Sequence, residues 1–274
     1  MAPAILLVLG VSFYPALFAI RRSFYATRYM ELGRFIGLEH YVRFLGRGAG
    51  WQSIGNSLTY TAASLLLALP LGFLLALILH QPLPCRAVIR TILILPWIVS
   101  QTIVALLWGW LLNPNYGPVS YLAGAWSAWR LDVFGTPEWA MAGVVLANVW
   151  QSYAFPMVLL LAALQTIPAE VVEAARVDGA SPWAAFWRIT LPLVRPTLLI
   201  TAIMLTLHYF NMVTLIFTLT GGGPGGATET LSVRVFNEAF VFHNLGFASM
   251  VGVIIFFLNA AFSLSYIRVL QREP

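Results

Sequence analysis

The 274-residue chain contains no lysine. A Walker-type phosphate loop needs its lysine to reach the β- and γ-phosphates, so ATP hydrolysis by that mechanism is excluded. Schiff-base chemistry on a lysine amine is excluded as well. The fifteen basic residues are all arginine, which codon bias explains most simply, since the two side chains differ little as generic surface charges. Cys85 is the only cysteine. It has no internal disulfide partner and cannot make a zinc site alone. Charge itself is scarce, at 9 % of residues, against ~25 % in a soluble domain. That deficit leaves no water-facing surface for most of the molecule, and lipid is the expected solvent.

What fills the chain is apolar sequence, 60 % of all residues. A spanning helix needs about 20 predominantly apolar residues. Six such stretches occur, at about 3–20, 54–79, 91–112, 139–165, 197–219 and 246–267, and none holds Asp, Glu, Lys or Arg. The expected fold is therefore an all-α membrane protein with six transmembrane helices in a single domain over 1–274. A membrane barrel would show ten-residue alternation instead. Pro3–Ile20 lacks a basic leader and a small-residue cleavage site, and is expected to be a mature helix. Asn113-Pro114-Asn115-Tyr116-Gly117-Pro118 is a dense turn signal. The piece after it, Val119–Trp129, is too short to cross, and Trp126 and Trp129 suit a helix lying at the interface.

Six spans put both termini on one side, but arginine does not say which. The side of the 168–196 loop would hold Arg86, Arg90, Arg176, Arg188, Arg195, Arg268 and Arg272; the other would hold Arg21, Arg22, Arg28, Arg34, Arg43, Arg47, Arg130 and Arg234. Seven against eight is no excess on either side, so the positive-inside rule does not orient the chain.

The 168–196 loop is a polar island between apolar stretches. Pro168 fits a first helical position, and Glu170 falls in the first turn, where a carboxylate suits the helix dipole. Glu173 and Arg176 are spaced to pair on the surface. Gly179 fits a C-terminal cap, Ser181-Pro182 a new N-terminus, and Leu191-Pro192 the end of a second helix. Small residues at Ala174, Ala175, Gly179 and Ala180 allow another backbone to approach closely. From these residues alone, the loop reads as an amphipathic connector or as a docking surface.

The pattern Glu173-Ala174-Ala175, Gly179, Ile189-Thr190-Leu191-Pro192 resembles, over twenty positions, the cytoplasmic EAA loop of binding-protein-dependent ABC importer permeases. Phe35-Ile36-Gly37-Leu38-Glu39-His40-Tyr41 is similar to the element after the first helix in the carbohydrate-uptake branch, with His40 in place of Asn. Thr220-Gly221-Gly222-Gly223-Pro224 with Thr228-Glu229-Thr230 is similar to that branch's loop after the fifth helix. The resemblance to the maltose- and glycerol-phosphate-type permeases implies a coupling-helix hairpin docking on an ATPase through Glu173, Ala174, Ala175, Asp178, Gly179, Ile189, Leu191 and Pro192. It also implies cytoplasmic termini and location in a bacterial or archaeal inner membrane. The implied partners are a second permease subunit, two ABC ATPases holding the ATP and Mg, and an extracytoplasmic solute-binding protein. No cofactor, metal or nucleic acid is expected in this subunit.

Polar groups inside spans are costly unless paired. Two clusters qualify, Asn148–Tyr153 followed by Phe155 and Pro156, and His208-Tyr209-Phe210-Asn211. They read either as interhelical hydrogen-bond pairs or as ligands for a passing solute. Matching to the sugar-holding helices of the family points to Gln151, Ser152 and Phe155, and to His208, Tyr209 and Met212, with Asn211 from the second cluster. Trp97, Gln101 and Trp108 read as packing. A secondary, ion-coupled transporter is the alternative, but carboxylates for coupling are missing from every span. A membrane enzyme would need convergent acids, bases or metal ligands, and the ten acidic residues and four histidines are scattered.

Overall fold

The computed structural model describes residues 2–28, 31–126 and 132–271. Among the described residues the regular structure is helical apart from one two-stranded antiparallel hairpin, β1 (Tyr25–Arg28) and β2 (Glu31–Phe35), which sequence periodicity did not announce. The first helix, α1, runs Ala2–Arg22 and contains the first expected stretch. A short α2 (Glu39–Leu45) leads into α3 (Gly48–His80), which at 33 residues is roughly 50 Å long and traverses the whole bundle.

Three helical segments are long and apolar enough to cross a membrane, and two bent pairs raise the number to five among the described residues. The straight ones are Gly48–His80, Pro182–Phe210 and Leu245–Tyr266. The last lies within α14 (Leu245–Gln271). The bent pairs depart from the simple spans expected at 91–112 and 139–165. The first is α4 (Arg86–Ile98) with α5 (Gln101–Leu111), bent by 93°. The second is α7 (Pro137–Ser152) with α8 (Ala154–Gln165), bent by 40°. Between these pairs, Asn113 Oδ1 accepts from the backbone N–H of Asn115 and Tyr116, and α6 (Pro118–Trp126) follows. Trp129 lies outside the described residues.

The expected stop at Leu191-Pro192 does not occur. After α9 (Ala169–Val177), α10 (Pro182–Ala185) continues through a π-helical turn, Phe186–Thr190, into α11 (Leu191–Phe210). A proline normally breaks a helix because it lacks an N–H and its ring meets the carbonyl four residues back. The wider π turn, in which Leu191 N donates to Phe186 O, absorbs that misfit, so one unbroken rod of 29 residues results. At its other end α11 stops at Phe210, short of the expected 219, and α12 (Thr214–Thr220) follows a break. A glycine-rich loop then leads to α13 (Leu231–Phe236) and a second π turn, Asn237–Val241.

Helix α3 organises the packing. Its buried face carries Gly50, Ser53, Ser57, Thr61, Ser64, Ala68, Gly72 and Ala76 at three- and four-residue intervals. Such small residues let helices approach closely where no hydrophobic effect drives them together. Helix α8 comes close at Gly72, where an added Cβ would lie 2.7 Å from the Tyr153 carbonyl oxygen and 2.9 Å from Met157 N. At the end bearing β1–β2, Asn56 Nδ2 donates to the carbonyls of Gly226 and Glu229, and Leu231 N donates to Ser57 Oγ. Arg234 donates to Ala49 O and Ser53 Oγ and pairs with Glu229 at 3.4 Å. The glycine loop and α13 are thereby fastened onto the start of α3. The outward faces remain apolar: Leu66, Ile98 and Leu106 are exposed, as lipid-facing positions should be.

Gly72→Ala should lower the unfolding free energy of the detergent-purified protein by about 1–3 kcal/mol, although alanine favours helix, because backbone has to shift. Gly252→Ala, where nothing lies within 4 Å, should be neutral or stabilising in the same thermal-unfolding measurement. Equal effects at both positions would contradict the close α3–α8 approach.

Candidate functional site

Both helix breaks face one cavity of about 620 Å³. The α4–α5 bend follows Pro96 and consists of Val99 and Ser100, both in extended backbone with ψ of 135° and 140°. Extension at these two residues removes the helical donor for the Val99 carbonyl. In a bilayer core such a carbonyl costs several kcal/mol unless protein or a water-filled cavity gives it a partner. Gln151 supplies the donor: its side-chain Nε2 lies 2.8 Å from Val99 O. The α7–α8 bend has a related origin. Pro156 has no N–H to offer the Ser152 carbonyl, and the chain kinks at Tyr153 between them. Helix α11 closes the third side with Met204, Leu205, Leu207 and His208.

Among the described residues, no Asp, Glu, Lys or Arg lines this space. Its polar groups are Ser100, Gln101, Asn148, Gln151, Ser152 and His208, and its aromatic wall is Trp97 with Phe155, ring centroids 5.9 Å apart. Asn148 is 1 % exposed, and its Nδ2 has no hydrogen-bond partner. Neutral donors and acceptors beside flat aromatic faces suit an uncharged, hydroxyl-rich solute.

The structure brings four of the expected ligands to the cavity: Gln151, Ser152, Phe155 and His208. It sets three apart from it. Tyr209 is buried behind Ser152, with the two hydroxyl oxygens 2.7 Å apart, and stands edge-on to Tyr60. Met212 packs in the central core with Leu215 and Ile216. Asn211 is exposed; its Nδ2 donates to Leu207 O, and its Oδ1 accepts from Asn259. Sequence reasoning read Trp97 and Gln101 as packing, yet both line the cavity. It placed Asn148 in the first candidate cluster but not among the residues matched to the family's sugar-holding positions, although Asn148 stands three and four residues before Gln151 and Ser152, on one helix face. Trp108 does pack, edge-on against Trp150.

At the far end of α3, α9 and α10 form a hairpin. Gly179, at φ +81°, makes the turn, and Ala180 N donates to Ala175 O. Ser181 caps the second helix by accepting from Ala184 N, with Pro182 in its first turn. A groove of about 540 Å³ runs along Ala175, Asp178, Gly179, Ala180, Ser181, Ala184, Arg188 and Ile189. Glu173 and Ala174 are exposed beside it, while Leu191 and Pro192 lie further along in the continuous helix. The expected Glu173–Arg176 pair falls outside the described side chains. Phe186 anchors the hairpin to the bundle through Phe73, and Trp183 and Trp187 surround it.

The remaining sequence elements are joints at the opposite end. Gly37 takes a positive φ of 57°, and His40 is buried with its Nε2 3.2 Å from Tyr25 O. Burial lowers the His40 pKa, so the imidazole is held neutral there. Thr228 Oγ1 donates to Gly223 O and lies 2.6 Å from Thr220 Oγ1, which pins the glycine loop.

Known proteins share this architecture. Residues 68–272 match the family described as binding-protein-dependent transport system inner membrane component. The trehalose/maltose transport system permease protein MalF of Thermococcus litoralis is 37 % identical over 238 residues, 86 % of this chain and 79 % of its own length. The sn-glycerol-3-phosphate transport system permease protein UgpA of Brucella abortus is 32 % identical over all of this chain and 94 % of its own. A crystallised bacterial ABC transporter for import of the acidic polysaccharide alginate contains a chain that superposes with a TM-score of 0.87. That chain is 25 % identical, over 98 % of this protein and 93 % of its own length. The chain belongs to the binding-protein-dependent transport system inner membrane components, the permease subunits of ABC importers.

Proposed function

We propose that the chain is one permease subunit of an importer that moves a neutral sugar, delivered by an extracytoplasmic binding protein, through the cavity between the two broken helix pairs and α11. The observation that carries the reading is the lining of that cavity, which is uncharged, aromatic on one wall, and set with amides and hydroxyls. Relatives whose names specify trehalose and maltose agree with a sugar. An anionic solute would call for arginine beside the path, and the lining holds none. Ion-coupled secondary transport is disfavoured by the same lining, which offers no carboxylate.

In this reading Asn148, Ser152, Gln101 and His208 meet solute hydroxyls, and Trp97 and Phe155 lie against its CH faces. Gln151 borders the same space, and Tyr209 holds Ser152 in place from behind. Asn211 and Met212 contribute packing. The whole chain, 1–274, is a single permease domain with α1 as a sixth span. The 168–196 hairpin faces the cytoplasm, as do both termini. Two ATPase subunits, holding ATP and Mg, dock there on Glu173, Ala174, Ala175, Asp178 and Gly179, with Ile189, Leu191 and Pro192 stiffening the second helix. A second, similar permease completes the passage. The setting is the cytoplasmic membrane of a bacterium or archaeon.

Glu173→Lys and Gly179→Pro should each abolish solute-driven ATP hydrolysis in the reconstituted complex while thermal unfolding stays within a few degrees. Proline cannot take the positive φ of the turn. Normal transport by both variants would contradict the docking role. Solute-stimulated ATPase tested over a panel should respond to neutral sugars and not to glycerol phosphodiesters or uronic-acid oligomers. Asn148→Leu should raise the half-maximal solute concentration roughly tenfold, the loss expected when a hydroxyl's buried partner disappears. Stimulation by an anionic solute alone would overturn the sugar assignment.

A further inference from the structure

The two bent helix pairs meet at their bends. Trp97, two residues before the first break, stacks obliquely on Phe155, two residues after the second. Trp108 of α5 stands edge-on to Trp150 of α7, with ring centroids 6.1 Å apart. Between these aromatic contacts lies one directional polar bond, from Gln151 Nε2 to the Val99 carbonyl. Val99 is one of the residues whose carbonyl the break leaves without a helical donor, and Gln151 lies two residues before the kink at Tyr153. A glutamine amide has two donor hydrogens and one acceptor oxygen. One hydrogen is committed to the backbone of another helix, which sets Gln151 apart from Asn148, whose amide nitrogen has no protein partner.

We infer that Gln151 is a positioning residue: its side-chain amide latches the α4–α5 break to the α7–α8 break, so that both bends move as one wall of the cavity. The inference rests on the transport reading above. Residues at element ends absorb the backbone changes of a rocking bundle, and Val99, Ser100 and Tyr153 are such residues. If the two bends moved independently, the cavity could change shape without the bundle turning over, and ATP would be hydrolysed without net movement of solute. The latch therefore governs turnover and coupling, whereas Asn148 and Ser152 on the same helix govern affinity.

Two substitutions separate the roles. Gln151→Met keeps the length and removes the donor. Gln151→Glu keeps the shape and the acceptor, and regains a donor only when the carboxyl is protonated. The complete complex in proteoliposomes is assayed from pH 6 to 9 for solute moved per ATP and for the half-maximal solute concentration, each relative to the unsubstituted protein. His208 is the titratable side chain among the described lining residues, and Gln151→Met, which adds no charge, controls for its titration.

The latch predicts a roughly tenfold fall in solute per ATP for Gln151→Met at every pH, with the half-maximal concentration within about twofold. It predicts that Gln151→Glu matches Gln151→Met at the alkaline end, where the carboxylate has no donor, with any recovery of coupling appearing only as pH falls toward protonation. A raised half-maximal concentration with unchanged coupling makes Gln151 an ordinary ligand and overturns the proposal. So does unaltered behaviour of both variants. Hydrogen exchange in the purified protein reads the latch without transport: Gln151→Met should speed exchange at residues 104–107, the first α5 amides that donate within the helix, and unchanged rates there would also overturn it. If the unsubstituted complex shows no solute-dependent ATPase while exchange responds as stated, the transport reading fails and the latch stands.

Discussion

Inside a bilayer every backbone N–H and C=O has to find a partner within the protein. That requirement governs this molecule most visibly at Val99, where a right-angled bend leaves a carbonyl without its helical donor and a side chain from a distant helix replaces it. A transport passage needs non-helical backbone and polar groups at depth, and such backbone is tolerated only where protein or a cavity surrounds it. The bend, the kink at Tyr153 and the polar lining are thus parts of one solution. The prolines open the helices, the glutamine supplies a donor to one of the freed carbonyls, and the proposed passage lies between them. The small-residue face of α3 makes the arrangement possible by letting α8 approach closely at Gly72.

The second consequence concerns energy. The chain holds no lysine, and no carboxylate is among the described residues that line the cavity. In the proposed importer, work enters through the hairpin. The rod from Pro182 to Phe210 is unbroken despite Pro192 and Pro196, and at roughly 43 Å it joins the hairpin to Met204, Leu207 and His208 on the cavity wall. A π turn at Phe186–Thr190 accommodates Pro192 within this rod. A displacement of the docking hairpin is then carried to the solute side by a stiff element.

Much of this was legible in the sequence, and the exceptions have physical causes. Apolar runs without charge announced the helices, and Ser181-Pro182 and Gly179 announced the hairpin's caps because these residues act locally. The bend at Val99–Ser100 was not legible, since residues 91–112 are uniformly apolar and Pro96 alone does not require a right angle. Its stabilising partner lies 52 residues away. Tyr209 was placed with the ligands because its hydroxyl is polar and its helix is right, but three-dimensional packing turned it onto Ser152. Asn148 could have been added from the helical period it shares with Gln151 and Ser152. The continuation through Pro192 was hidden because a π turn leaves no compositional mark, and the β1–β2 hairpin because its strands are only four and five residues long.

The central claim is that the uncharged cavity between the two broken helix pairs and α11 is where the solute rests. A cryo-electron microscopy map of the assembled complex, trapped with a transition-state nucleotide analogue and saturating sugar, tests it most directly. The account predicts density for the sugar against Trp97 and Phe155, within hydrogen-bond distance of Asn148 and Ser152. Solute density elsewhere, with lipid or closed side-chain packing filling this space, would contradict it.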